Sequence, residues 1–463
     1  MNMMISARHL LVGAAMLAIP ATALAQARAP ANLLPPDPVE AQPVEPDNSV
    51  SIPEIVSRPV VQGQTEVVQP TWPDVQPWKL AQAKALAAIV GGIASEGLDP
   101  KDYDLAALRA AIEAGEGEPL DKAASQSFAM LVEDLRDGRT PMSARRQWFV
   151  VDPDPDILPT NRLMAELLEA GAISSLVERV SPLHPDYAAL REELAKTPSA
   201  QGERRKLIIA NMDRWRWLPR DLGSQFLWTN VPEYQLRLTV NGNIIRTYRT
   251  IVGKPGRTAT PQLAEQVEGV IFNPTWTVPQ SIVKGEGLGA RVLNNPSYAK
   301  AKGYKATRGA NGYISVVQQP GPQNALGLMK LDMPNEHAIF LHDTPSRNLF
   351  EEEVRAMSHG CIRTERASEL ALTLAILQAG IEAEEGVEII KSGKYTRVGF
   401  TKTMPVYITY FTYGRDIDGE LRSFPDIYER DAPVLASLDK PRVDARARYT
   451  DEEVIVIEDD MRI

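Results

Sequence analysis

The chain has 463 residues, 44% of them apolar, with a formal charge of -10 and a single cysteine. That length and apolar content suit two or three globular domains with adequate cores, while the negative charge opposes binding to nucleic-acid phosphates or anionic lipid. One cysteine excludes an internal disulfide and leaves Cys361 as a free thiol or an intermolecular bridge.

Residues 1–25 carry Arg8, an apolar run over 10–19 and the small-x-small sequence Ala23-Leu24-Ala25 before Gln26. These are the parts of a secretory signal peptide, and the run is well short of the roughly 20 residues that span a bilayer. The mature chain is therefore expected outside the cytoplasm, in the periplasm, with no transmembrane segment after cleavage. Residues 26–76 are rich in Pro, Val, Gln and Glu, as in Leu34-Pro35-Pro36-Asp37-Pro38, and read as a disordered or extended tether.

Over 77–213 the apolar spacing becomes helical: Leu86, Ile89 and Ile93, then Leu105, Leu108 and Ile112, then Phe128, Leu131 and Leu135, then Leu163, Leu167 and Leu168. Gly and Pro at 97–100, 115–119 and 138–141 interrupt that period where a helix has to stop. This is a small helical domain that carries no chemistry of its own. Residues 197–205 read as a short polar bridge.

Over 214–400 the texture alternates. Residues 235–240 and 244–252 flank Asn241-Gly242-Asn243, a hairpin signal. Further strands are expected over 267–272, 314–317, 338–341 and 406–412. After the cysteine a helix is expected to open with Thr364 as N-cap, to carry Leu370, Leu374 and Leu377, and to stop at Gly380. Residues 401–448 read as C-terminal strands or an extension, and 449–463 as an acidic tail. The fold class is α+β: a mostly-β domain beside a separate helical one. Oligomeric state leaves no mark in the sequence.

Acyl transfer by a thiol needs a nucleophile, a base within reach and donors aimed at the developing oxyanion. Ser358-His359-Gly360-Cys361 offers these parts, since Gly360 lets the amides of Gly360 and Cys361 turn toward a bound carbonyl. His359 is a packing or orienting residue, and the start of the following helix favours a thiolate. His342, at the end of the strand expected over 338–341, is the candidate base. Three of the five histidines, His337, His342 and His359, lie close to the cysteine in sequence, which raises a zinc site. No Cys-x-x-Cys or His-Glu-x-x-His spacing supports one, so no metal or other cofactor is expected, and His337 reads as structural.

From His342 to Arg363 the sequence resembles the signature of YkuD-type L,D-transpeptidases: a histidine, a spacer of this length, then Ser-His-Gly-Cys. Pro320-Gly321-Pro322, Asn324-Ala325-Leu326-Gly327, Leu341-His342-Asp343-Thr344-Pro345, Leu349-Phe350 and Arg355-Ala356 are similar to the large, scaffold-bearing YcbB-like branch. So are Trp215-Arg216-Trp217-Leu218-Pro219, Asn273-Pro274-Thr275-Trp276 and Gly97-Leu98-Asp99-Pro100. Arg363 stands where the wider family has asparagine, and the peptidoglycan-binding domain that such relatives insert near 185–195 is missing.

The resemblance implies a helical scaffold domain, a capping segment over 281–304 and a cysteine transpeptidase acting on peptidoglycan stem peptides. Cys361 would attack a donor tetrapeptide and His342 would donate and accept the proton, its ring oriented by a backbone carbonyl. Gly360 and His359 would serve the oxyanion hole, and Ser358, Arg363, Asn324 and Trp276 would contact substrate. A hydrolytic L,D-carboxypeptidase or amidase, and a binding protein with a dead domain, are the alternatives; the first shares every residue named, and the second need not keep His342 and Cys361 together.

Overall fold

The computed structural model of the chain describes residues 67–68, 73–444 and 446–454. The signal peptide read over 1–25, most of the tether and residues 455–463 lie outside them. The end of the tether is tied down: Val67 and Val68 pair antiparallel with Ala447 and Arg446, as suits a β-branched pair, and Gln76 N–H donates to Ser125 Oγ at 3.1 Å.

Helical spacing produces α1 (Leu80–Gly92), α2 (Leu105–Ala114), α3 (Glu118–Asp137) and α4 (Thr160–Glu169). Their facing stripes, including Leu86, Leu108, Phe128, Leu131, Leu135, Leu163 and Leu167, close one core. Pro119 and two acidic residues in its first turn favour the start of α3. Gly138 ends it at φ 84, and a Cβ there would stand 2.5 Å from Trp217 Cδ1, so both the backbone and the neighbour demand glycine.

Next come α5 (Pro185–Lys196) and α6 (Gly202–Trp215). The bridge read over 197–205 is thus shorter than expected, because its last residues already begin the helix that buries Ile208, Met212 and Trp215. That face of α6 meets Trp228 and Tyr407 of the sheet, and Phe411 just beyond it, in a second core. Asp213, fully buried, accepts the N–H groups of Arg139 at 2.7 Å and Thr140 at 2.9 Å. It holds the end of α3 to the α6 layer.

The large sheet of the β domain comprises β1 (Gln225–Asn230), β2 (Gln235–Val240), β3 (Asn243–Gly253) and β4 (Leu263–Phe272), then, after a cap, five more strands, and a separate hairpin pairs Tyr413–Arg415 with Leu421–Ser423. The cap is a three-stranded sheet of β5 (Trp276–Thr277), β6 (Tyr304–Arg308) and β7 (Ile314–Gln318) with α7 (Leu288–Asn294) and α8 (Pro296–Lys302). It is wider than the capping segment read over 281–304, because that segment borrows strands from both sides to build a core. The remaining strands are β8 (Met329–Asp332), β9 (Leu341–His342), β10 (Ala356–Ser358), β11 (Ile362–Thr364) and β12 (Thr396–Thr409).

Strand order is β10-β3-β11-β9-β8-β4-β12-β1-β2, and β3 also pairs with β2, so the sheet closes on itself. α9 (Ala367–Ala379) buries Leu370 and Leu374 in the barrel core beside Leu331, Leu341 and Ile362, each worth roughly 1.5–3 kcal/mol. α10 (Ala383–Lys391) follows, and α11 (Asp431–Leu438) packs on α6.

Four expectations are corrected. Residues 338–340 are not strand, because Ala338 takes a left-handed φ of 54. Thr364 does not cap α9 but ends β11; Arg366 is the N-cap. The strand read over 406–412 begins much earlier and ends at Thr409. The break between 400 and 401 therefore falls inside β12, which pairs with β4 on one side and β1 on the other.

Candidate functional site

The sheet register gathers the chemistry. β9 pairs parallel with β11, Leu341 opposite Ile362 and His342 opposite Arg363, and antiparallel with β8, His342 opposite Lys330. Residues level across adjacent strands project to the same face, so Lys330, His342 and Arg363 form a row. Cys361 immediately precedes β11.

His342 is fully buried. Its Nδ1 lies 2.5 Å from the Asp343 carbonyl oxygen, and because a carbonyl only accepts, Nδ1 must carry the hydrogen. The neutral ring then has its lone pair on Nε2, a buried atom with no hydrogen-bond partner among the described residues. Burial, and next the charge of Arg363, push the imidazole down to about 3; the Asp343 carbonyl opposes them and Lys330 adds to the depression. The Asp343 carboxylate plays no part, since it accepts from Leu328 N–H at 2.8 Å.

Cys361 is fully buried, and its Sγ lies 3.6 Å from the Ala338 carbonyl oxygen. A protonated thiol can donate to that oxygen. Gly360 takes a φ of 121, which needs glycine. The loop is tied by two hydroxyls. Ser358 Oγ donates to the Cys361 carbonyl at 2.6 Å and accepts from Gly360 N–H at 3.1 Å. Thr260 Oγ1 donates to the Gly360 carbonyl at 2.8 Å and accepts from Gly253 N–H at 2.9 Å.

Several sequence expectations change here. The Gly360 amide, expected to face an oxyanion, is used within its own loop. Ser358, read as a substrate contact, is fully buried and acts as that loop's internal tie. Helix α9 starts at Ala367, with β11 between it and Cys361, so its N-terminus is not beside the sulfur.

Asn324, read as a substrate contact, is buried and bonded to backbone. Its amide donates to the carbonyls of Pro274, Gln318 and Gln319 and its Oδ1 accepts from Leu326 N–H. Trp276 is likewise enclosed in the cap core with Val278, Ile282 and Val316. Arg363 is 7% exposed and joins the row beside His342, and His359 is half-buried in the loop. Among the described residues no three His, Cys, Asp or Glu side chains gather as metal ligands, and no helix is long and apolar enough to cross a membrane.

Sequence reasoning missed Thr260, Ala338 and Lys330. Thr260 stands 100 residues from the glycine it holds, and no local pattern marks such a partner. Lys330 was legible only through the strand register.

Residues 224–408 match the family model for the YkuD L,D-transpeptidase catalytic domain, and residues 64–194 match that for the scaffold domain. A Haemophilus influenzae protein named as a candidate L,D-transpeptidase is 27% identical over 296 residues, spanning 60% of this chain and 59% of that protein. Among solved structures, an L,D-transpeptidase from Mycobacterium smegmatis aligns over 40% of this chain and 58% of its own, at 12% identity and a TM-score of 0.20. L,D-transpeptidase 1 of Mycobacterium tuberculosis aligns over 40% and 61%, at 12% identity and a TM-score of 0.18.

Proposed function

We propose, for a chain whose residues 224–408 belong to the YkuD family of L,D-transpeptidase catalytic domains and whose residues 64–194 belong to the scaffold-domain family, that it cross-links peptidoglycan stem peptides through a thioester on Cys361. The observation that carries this reading is the tautomer of His342. Its Nδ1 is committed to the Asp343 carbonyl, which leaves the buried Nε2 as a proton acceptor on the strand beside the thiol-bearing loop.

In the proposed reaction Cys361 Sγ attacks the carbonyl of the L-centre of the third-position diamino acid in a donor tetrapeptide. Nε2 of His342 takes the thiol proton. The C–N bond to the terminal D-alanine breaks, the imidazolium protonates the departing amine, and a thioester remains. An amine from a second stem attacks that thioester, an amide forms, and the released proton returns through His342 to the sulfur. An imidazolium in this buried row is unfavourable on its own; it forms when the thiolate, and then the tetrahedral oxyanion, supplies the opposite charge. Arg363 and Lys330, flanking the ring, favour the same anionic states. Export to the periplasm, read from residues 1–25, belongs to this proposal.

The test incubates the protein with defined donor and acceptor muropeptides and reads the products by mass spectrometry. A cross-linked dimer and free D-alanine are expected, together with one carbapenem adduct per chain, and Cys361→Ala abolishes all three. Tripeptide without dimer would overturn cross-linking in favour of hydrolysis, and an adduct that survives in Cys361→Ala would remove the cysteine from the mechanism.

A further inference from the structure

The segment between α3 and α4 pairs with Gln262, in the turn from β3 toward β4. Residues 147–149 lie parallel to Gln262: Phe149 N–H donates to the Gln262 carbonyl at 3.0 Å, and Gln262 N–H donates to the Gln147 carbonyl at 2.9 Å. The Gln262 side chain adds a bond to the Arg146 carbonyl at 3.0 Å. Side chains along this strap alternate. Trp148 and Val150 enter the core shared with α6, while Phe149 packs on the barrel core.

Two short routes lead from the strap to the sulfur. On one, the Phe149 ring lies 4.2 Å from the ring of His337; the next residue is Ala338, whose carbonyl oxygen lies 3.6 Å from Cys361 Sγ. On the other, Gln262 is two residues from Thr260, whose hydroxyl holds the Gly360 carbonyl. Arg430 braces this second route, since its guanidinium donates to the Thr260 carbonyl at 3.1 Å and also to the Gln147 side chain. Ala338 keeps its left-handed φ of 54 without being glycine, a conformation that persists only where surroundings impose it.

We propose that residues 146–149 are a positioning strap for the nucleophile, and that Phe149, through His337, fixes the Ala338 carbonyl that holds the Cys361 thiol. Phe149 touches neither substrate nor sulfur, so it is a positioning residue. The inference rests on Cys361 being the nucleophile of the proposed reaction, but its test needs no peptidoglycan.

A carbonyl that accepts from the thiol favours the neutral form. Loosening that carbonyl should make the thiolate easier to form. The charged or titratable groups on the strands and loop around Cys361 are His342, Lys330, Arg363 and His359, and Phe149→Ala replaces none of them. A His337 newly able to charge would act in the same direction, and also only through the strap contact.

The experiment measures the rate of iodoacetamide alkylation of Cys361 against pH in the full chain. Phe149→Ala is expected to lower the midpoint by about half a unit to one unit, and Phe149→Tyr to restore it. Phe400→Ala, which removes another half-buried ring from the same core, is expected to leave the midpoint alone. Should Phe149→Ala not fold, Phe149→Leu keeps the bulk without the ring face and is expected to shift the midpoint the same way. Equal shifts in the Phe149 and Phe400 variants, or an unmoved midpoint in a folded Phe149 variant, would overturn the proposal. Neither result bears on whether Cys361 forms the carbapenem adduct, so the strap and the transpeptidase reading fail separately.

Discussion

Thr260 commits both hydrogen-bonding capacities of its hydroxyl to backbone, accepting from Gly253 N–H and donating to the Gly360 carbonyl. Valine has nearly the same shape and can do neither. In Thr260→Val a buried donor and a buried acceptor lose their partner, at about 1–3 kcal/mol each, and the loss falls on the glycine next to the proposed nucleophile. Acylation by a carbapenem is expected to slow by roughly tenfold to a hundredfold while the circular dichroism spectrum is unchanged, and Thr260→Ser is expected to recover most of the rate. An unchanged acylation rate in folded Thr260→Val would remove Thr260 from the site. Cys361 and His342 could be proposed from sequence because acyl transfer by a thiol demands those side-chain types. Thr260 and Ala338 could not, because each acts through a single backbone or hydroxyl contact that almost any sequence context could supply. Asn324 and Trp276, expected to meet substrate, are a buried amide that ties a loop and a buried indole that fills the cap.

Elements with a regular period were legible in the sequence, and those defined by one backbone angle were not. α3 and α9 follow their apolar spacing, and Gly380 caps α9 in the left-handed conformation as its glycine suggests. The residues read as strand over 338–341 form an unbroken apolar run, yet the turn at Asn335 and the positive φ of Ala338 leave only two residues to pair as β9. The sharpest element boundary is the end of α3. Gly138 combines a φ of 84 with a Cβ position 2.5 Å from the Trp217 ring, and Trp217 is anchored by its Nε1–H to Asp213 at 3.0 Å. Gly138→Ala therefore meets backbone strain and a neighbour that cannot withdraw, for about 2–4 kcal/mol together. A drop of several degrees in the melting temperature is expected. A change within one degree would mean that the ring moves aside freely.

Where the end of α3, the segment between α3 and α4 and the C-terminal residues meet, charged groups are enclosed. Asp137, Arg145, Trp148, Asp152, Trp217 and Arg448 line a cavity there. The C-terminal segment is clasped across it: Arg442 pairs with Glu133 and with the fully buried Asp134, and Arg448 pairs with Asp156. Such long-range closure has no periodic signature, so 401–448 could be read from sequence only as C-terminal strands or an extension. Asp152 is the strained member of the group. Its Oδ2 is buried without a hydrogen-bond partner among the described residues, and burial, helped by the charge of Asp154, raises its carboxyl to about 8. With the folded value above the unfolded one of 3.8, folding takes up a proton at intermediate pH. The stability contribution is fully present below the unfolded value and is lost as pH rises toward the folded one. Asparagine keeps an oxygen for the Asp154 N–H, which Asp152 Oδ1 now accepts at 2.9 Å, and needs no proton. Asp152→Asn is thus expected to match the native chain near pH 4. Its advantage should grow steadily through neutral pH, reach about 1–2 kcal/mol after allowance for partial solvent access, and level off above pH 8. Denaturant melts across that range measure it, and an advantage that shrinks with rising pH would show that Asp152 is ionised and stabilising where it stands.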